Sequence, residues 1–311
     1  MGSALDTDRP AEQHIVLGMT LRLASAVALA AMFAGVKWVS QHGVSVGESL
    51  FYRQIGTTLC ALGWAAFGRG FASLKTKRVG AHIARMAIGL AAMGLNFLSF
   101  VLLPLAEATS IGFSVPIFAT LLAALVLGEA TGRWRWSAVM IGFVGVLVIV
   151  QPGSGHIGTY GGTVAVAAAL CTAGATIVIR RLGATEPAAA TVFWFGLSSL
   201  VPLALVMLFV AKAHDPQIFA VIIALSLAGG LAQLLLTGSL RLAPVALVVP
   251  MDYSSLLWAI LLGWLIFDQL PSRWTWLGAP IVIGAGLVIL WREQRLRMTG
   301  SATAAVSEVN E

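Results

Sequence analysis

The sequence predicts an all-α integral membrane fold: ten transmembrane helices in two inverted-topology five-helix repeats around a central cavity. Three observations predict it. First, 59% of the 311 residues are hydrophobic and only 10% are charged, where soluble domains average about 25% charged. Apolar runs of membrane-crossing length recur along the chain. Second, the chain repeats itself. Leu105-Ala106-Glu107-Ala108, Pro116, Gly128-Glu129 and Trp134/Trp136 return as Leu242-Ala243-Pro244, Pro250, Phe267-Asp268 and Trp274/Trp276. Ala106 maps to Ala243, Glu129 to Asp268 and Trp134 to Trp274, shifts of 137, 139 and 140 residues. Such self-similarity sets the fold class before local detail does. Third, the basic residues fall on one side, as worked out below.

Ten spans are expected at about 16–40, 48–68, 79–103, 107–127, 134–151, 159–180, 187–210, 217–239, 244–266 and 274–291. Each is long enough to cross about 30 Å of hydrocarbon at about 1.5 Å per residue. Lipid offers no partner to a backbone N–H or C=O, so a spanning segment without strand alternation must be helical. The connections are short and Gly-rich or polar, as at 43–47, 128–132 and 151–158. The longest, 68–79, carries Arg69, Lys75, Lys77 and Arg78.

Basic loops stay cytoplasmic. Placing loop 68–79 inside puts Arg133, Arg135, Arg180, Arg181, Arg241, Arg292, Arg295 and Arg297 inside as well, with Arg9, Arg22 and Arg85 on that side. Only Lys37, Arg53, Lys212 and Arg273 fall outside, 15 against 4. Both termini are therefore expected in the cytoplasm. Each half holds an odd number of spans, so the second half enters the membrane in the opposite sense. That is an inverted-topology repeat, a plan used by secondary transporters. The divisions are a tail at 1–15, repeats at 16–151 and 159–292, and a second tail at 293–311.

Several function classes drop out. The pI near 9.9 does not mean nucleic acid, because the basic residues sit in short loops and form no face. No Gly-x-x-x-x-Gly-Lys-[Ser/Thr] loop, His-Glu-x-x-His or Gly-x-Ser-x-Gly motif is present. His14, His42, His82, His156 and His214 lack ligand spacing, so no metal or cofactor is expected. Cys60 and Cys171 lie inside apolar spans and read as packing residues, not a disulfide. The polar start, with Asp6, Asp8 and Glu12 and no basic n-region, does not read as a secretory signal.

Polar groups inside spans are the informative ones, because each is costly unless it faces a partner or a cavity. Asn96 in span 3 and Gln233 in span 8 each stand ten residues before a repeat mark, Ala106 and Ala243. Inverted symmetry puts them on opposite sides of one central space. An interhelical hydrogen bond explains them equally well. Pro116 and Pro250 break spans 4 and 9, freeing the carbonyls of Gly112 and Ala246. Asp252 follows Pro250 inside span 9, beside Tyr253. It is the candidate functional charge, for binding an amine or carrying a proton; a structural ion pair is the alternative. Tyr253, Trp194 and Trp258 are candidates for an amphipathic wall. Gln54, Ser114, Asn96 and Gln233 are candidates for orienting polar groups. Lys37, Glu48 and Arg53 are expected to cluster as an outer gate, or simply to pair or snorkel. Their repeat neighbours near Thr176 and Thr191 are uncharged, so the halves are not functionally equivalent. The glycines of spans 5 and 10 mark those spans as packing elements. The cavity is expected between spans 1–4 and 6–9.

These features, namely Ala106 through Gly128-Glu129 with Pro116, the Gly142/Gly145 run, and the second copy around Pro250-Met251-Asp252-Tyr253 and Asp268, resemble the drug/metabolite transporter superfamily, in its ten-helix EamA-type branch. The likeness covers about residues 16–292. The Gly-Glu pair closing span 4 is typical of the branch; Phe267-Asp268 is a conservative departure. The resemblance implies ten helices, a central cavity with spans 5 and 10 outside it, and export of amino acids or similar small metabolites by alternating access. The chain is similar to an aromatic amino-acid exporter of that branch, and other members handle riboflavin, S-adenosylmethionine or quaternary compounds. The expected partners are a small-molecule substrate and the bilayer of a bacterial inner membrane, in a monomer or homodimer; coupling is open between proton antiport through Asp252 and facilitated diffusion. A membrane-embedded enzyme or scaffold is the rival, which wants a clustered nucleophile, base or metal set.

The orientation is open to labelling. With Cys60 and Cys171 replaced, a single cysteine at Ser154 should react with an impermeant thiol reagent in intact cells. One at Lys75 should react only in opened membranes. The reverse pattern overturns the orientation.

Overall fold

A computed structural model of the chain describes residues 9–67, 70–76, 78–127, 133–151, 158–183, 186–243 and 245–309. The anchors Trp134 and Glu129 and the loop around Ser154 lie outside the described side chains or residues. No strand occurs among the described residues. The helices are α1 (Arg9–Gln41), α2 (Val46–Phe67), α3 (Val79–Leu102), α4 (Leu105–Gly112), α5 (Val115–Leu127), α6 (Arg133–Val150), α7 (Thr159–Gly183), α8 (Ala188–Val210), α9 (Pro216–Leu242), α10 (Val245–Val248), α11 (Ser255–Phe267) and α12 (Arg273–Val309). Among the described residues eight segments are long and apolar enough to cross a membrane, and Trp136–Val150 in α6 is a shorter ninth. With α2, whose 22 residues include Glu48 and Arg53, the chain makes ten passes.

Spans 4 and 9 are each broken where a proline stands. In span 4, α4 ends at Gly112 and α5 starts at Val115, one residue before Pro116. In span 9 the chain passes from α10 through a 3₁₀ segment, Val249–Ser254, into α11. The proline lacks an N–H and its ring collides with the carbonyl four residues back. Serine hydroxyls bond backbone carbonyls inside both breaks, where lipid offers the backbone no partner. Ser114 Oγ donates to Ile111 O at 2.6 Å. Ser254 Oγ donates to Met251 O and Ser255 Oγ to Asp252 O, each at 2.6 Å.

The halves exchange partners across the molecule. α1 packs mainly on α9, and its repeat mate α7 packs on α3, the mate of α9. α5 lies on α7 as α11 lies on α1. The self-mated pairs α2–α8 and α6–α12 lie face to face. A two-fold relation between halves produces this pattern. Five spans per half, as the sequence predicts, set mates such as α1 and α7 antiparallel, the arrangement of an inverted repeat.

Packing at the seams is close where glycine allows it. A Cβ on Gly56 of α2 would lie 2.6 Å from Ser226 O of α9. Gly278 of α12 approaches Gly145 O of α6 in the same way, at 2.7 Å. In the core Phe33 stacks on Phe100 with centroids 4.0 Å apart, and Phe97 is fully buried beside them. Overpacking a tight seam costs about 1–3 kcal/mol. Gly56→Ala should therefore lower the melting temperature in detergent. Gly63→Ala on the same helix, where the Cβ meets open space, should leave it unchanged or raise it slightly, alanine being favoured over glycine in a helix by up to about 1 kcal/mol. Equal melting temperatures for the two variants remove the seam argument.

Candidate substrate cavity

Thr76, between α2 and α3, bonds Glu186, between α7 and α8, and Ala243, after α9, packs on Gly18 near the start of α1; the end of the bundle that holds these residues is called here the terminal face. The cytoplasmic-basic pattern of the sequence falls on this face. In its half of the bundle lies a cavity of about 520 Å³, inside the range of small-molecule sites. Its wall comes from α1, α2, α3, α7, α8 and α9. Among the described residues α6 and α12 contribute nothing to it, consistent with their packing on each other. Among the described residues the broken spans 4 and 9, expected in the wall, also contribute nothing.

Asn96 and Gln233 both line the cavity. Asn96 Nδ2 donates to Ala92 O at 2.8 Å and to Thr172 Oγ1 at 2.9 Å. Both its N–H bonds are spent, and Oδ1 remains as an acceptor. The threonines of the wall behave alike. Thr57, Thr172, Thr176, Thr191 and Thr237 each donate to the carbonyl four residues back on their own helix. That leaves lone pairs, not hydrogens, for a ligand.

The donors are two arginines. Arg53 is 3% exposed and lines the cavity. Its NH1 donates to Gln54 Oε1 at 2.7 Å, while Nε has no partner. Arg85, on α3, lines the cavity nearer the terminal face. Its guanidinium carbon sits 4.2 Å from the centroid of the Phe195 ring, a cation–π contact. Gly89, one turn on, makes room for it: a Cβ there would strike Arg85 NH1 and the Phe195 ring. Arg85 Nε and NH1 have no hydrogen-bond partner. Glu186 is the acidic residue of the wall. It accepts from Thr76 Oγ1 at 3.0 Å and lies 3.8 Å from His82 Nε2.

The other expected site residues lie elsewhere. Gln54 is fully buried against Arg53 and is not in the wall. Trp194 Nε1 donates to Leu74 O at 2.8 Å, which ties α8 to the loop after α2. Trp258 lines a separate apolar groove with Leu23, Leu257 and Trp264. Ser114 is fully buried, its hydroxyl spent inside the break. Tyr253 meets Phe113 edge-on, ring centroids 4.9 Å apart, and presses its hydroxyl on Gly286. Pro116 lies against that same glycine. Asp252 is held by Arg22 in a two-pronged pair, Nε to Oδ1 and NH2 to Oδ2, both 2.5 Å. It therefore takes the ion-pair alternative and stays out of the cavity wall, tying α1 to the segment that Pro250 opens.

Lys37, Glu48 and Arg53 do not form one gate. Lys37 Nζ donates to Leu103 O at 2.5 Å and stands 5.5 Å from the centre of the Phe267 ring. Glu48 accepts from the backbone N–H of Ser45 and Lys212, and its Oε1 lies 3.2 Å from His214 Nε2. Arg53, about 10 Å down α2 from its start at 1.5 Å per residue, belongs to the cavity. The face opposite the terminal face is closed instead by separate ties. One of them was invisible in the sequence. Glu107, 2% exposed, accepts from Ser272 N at 2.9 Å and from Thr275 Oγ1 at 3.1 Å, clamping α4 to the start of α12.

The comparisons with known proteins fit this architecture. The profile of the EamA-like transporter family matches residues 16–151 and again 159–291. A riboflavin transporter of Rhizobium johnstonii is 30% identical over 229 residues, 73% of this chain and 75% of that protein. An S-adenosylmethionine uptake transporter of Rickettsia felis is 27% identical over 254 residues, 80% of this chain and 84% of that protein. An uncharacterized transporter of Helicobacter pylori is 27% identical, covering 88% of this chain and 95% of that protein. A solved structure described only as the crystal structure of a protein superimposes with a TM-score of 0.59 at 20% identity, covering 92% of this chain and 99% of that one, a likeness of fold alone. With both halves matched, the chain belongs to the EamA-like transporter family of the drug/metabolite transporter superfamily.

Proposed function

We propose that this chain is a secondary carrier that exports amino acids or similar zwitterionic metabolites across the inner membrane by alternating access. One observation carries the reading: the cavity wall offers hydrogen-bond acceptors from Asn96, the threonines and Glu186, and donors from Arg53 and Arg85. A ligand that satisfies both must present donors at one end and an acceptor-rich group at the other. An α-amino acid does so, and Phe33, Met93 and Phe195 add apolar surface for a side chain. With cytoplasmic termini the cavity opens inward, the state that loads cargo for export. A flavin is the second reading, favoured by the riboflavin transporters among the relatives and by the aromatic rings in the wall.

Purified protein in liposomes, offered labelled amino acids and riboflavin, separates these readings from each other and from an enzyme or scaffold. Asn96→Ala with Gln233→Ala should cut transport about tenfold or more, each lost hydrogen bond being worth about 1 kcal/mol, without changing the melting temperature by more than a few degrees. Wild-type transport by the double variant removes these residues from the site.

Proton coupling through Asp252 can be tested separately. A pair role for Asp252 means that Asp252→Asn leaves the buried Arg22 guanidinium short of its counter-charge. It should cost about 1–3 kcal/mol of stability and leave the pH profile of transport unchanged. A flattened profile with an unchanged melting temperature makes Asp252 the coupling residue instead.

A further inference from the structure

We propose that Arg53 and Arg85 together form the docking site for an anionic oxygen group of the substrate, a carboxylate or a phosphate monoester. This deepens the carrier reading and rests on it for its physiological meaning.

The inference starts from what the two arginines lack. Each guanidinium carries five N–H donors and no acceptor. Among the described residues Arg53 makes one side-chain hydrogen bond, to the neutral Gln54 amide, and Arg85 lies on a phenyl ring. Arg53 Nε, Arg85 Nε and Arg85 NH1 are buried without partners, and neither residue has an ion pair. Both side chains line the one cavity. Two like charges without a counter-ion inside a membrane protein cost several kcal/mol unless something anionic or water comes to them. The other strong cations of the described interior are already answered. Arg22 has Asp252, and Lys37 has a carbonyl and the Glu107 charge.

Local packing then holds the pair in place without satisfying it. Gly89 leaves the space that Arg85 fills, and Phe195 supports its flat face. Gly229 leaves the space beside the Arg53 stem, where a Cβ would lie 3.4 Å from Arg53 Cγ. Arginine is the residue suited to a planar two-oxygen acceptor, because its fork matches that geometry. Glu186, the acid of the wall, accepts from Thr76 and makes no ion pair with either arginine among the described residues.

The test uses small probes on detergent-purified full-length protein: benzoate and phenyl phosphate as the two anion classes, benzamide as their neutral match. Melting temperature is followed against probe concentration. The anion whose class the site takes should raise it and benzamide should not. Arg53→Gln and Arg85→Gln should each weaken that response by about 10- to 100-fold, the loss of a charged hydrogen bond. Arg85→Lys should recover part of it. Arg85 is half-buried, so its variants report even if Arg53→Gln proves unstable without ligand. A larger response to phenyl phosphate assigns a phosphate substrate and to benzoate a carboxylate. An equal response to benzamide, no response to either anion, or an unchanged anion response in the Arg85→Gln variant overturns the proposal. Transport distinguishes the parent reading. If wild type binds an anion but moves no amino acid or flavin in liposomes, the carrier assignment fails and the site stands. If the Arg85→Gln variant moves cargo at the wild-type rate, the docking role fails and the carrier stands.

Discussion

In a bilayer a backbone carbonyl has no partner except those the protein supplies. Each freed group costs several kcal/mol if it faces hydrocarbon. That constraint organises this molecule. It forces every pass into a helix and confines each break to a place where serine hydroxyls can take up carbonyls. It also accounts for the seams. Helices in lipid gain little from burying apolar surface, so they associate through close packing and interhelical hydrogen bonds. Gly56 on Ser226 and Gly278 on Gly145 are such close approaches. Ser25 Oγ to Ala232 O, at 2.9 Å between α1 and α9, is such a bond.

The same rule governs the charges. Arg22, Lys37, Glu48 and Glu107 lie buried and each has found a partner within the protein. Their ties are distributed by face. Lys37, Glu48 and Glu107 fasten the ends opposite the terminal face. Asp252, Glu186 and Trp194 fasten the terminal half, around the cavity. A carrier must loosen the first set to open on the other side. The cheapest bond to exchange there is a single one to backbone, such as Lys37 Nζ to Leu103 O.

The fold was legible in the sequence because its determinants are local and periodic: apolar length, proline, glycine and the side on which arginines fall. Repeat arithmetic also pointed to Asn96 and Gln233, and both line the one cavity. The rest of the wall was harder to read, for physical reasons. Span ends from hydropathy do not reveal depth, so Arg53 was assigned to a rim although it sits two turns down its helix. Arg85 was counted as a basic anchor; the sign of its different role was Gly89, four residues on, where a missing Cβ makes room. Asp252 stood out by depth alone, yet its partner Arg22 is 230 residues away, and a pairing at that separation leaves no mark on local pattern. Threonines at four-residue spacing, Thr172 and Thr176, look like ordinary helix residues until the structure shows which face they present.

Joining the two halves in one chain has a consequence for the cargo. Arg53 corresponds by repeat position to Thr191, and both line the same cavity. Two identical subunits would have to carry the arginine twice and would offer a ligand the same chemistry from either end. A fused chain is free of that duplication. Its cavity has a head and a tail, and a molecule that enters it has one preferred way round. Polarity of the cargo, in this molecule, is a property gained by breaking symmetry in side chains while the backbone keeps it.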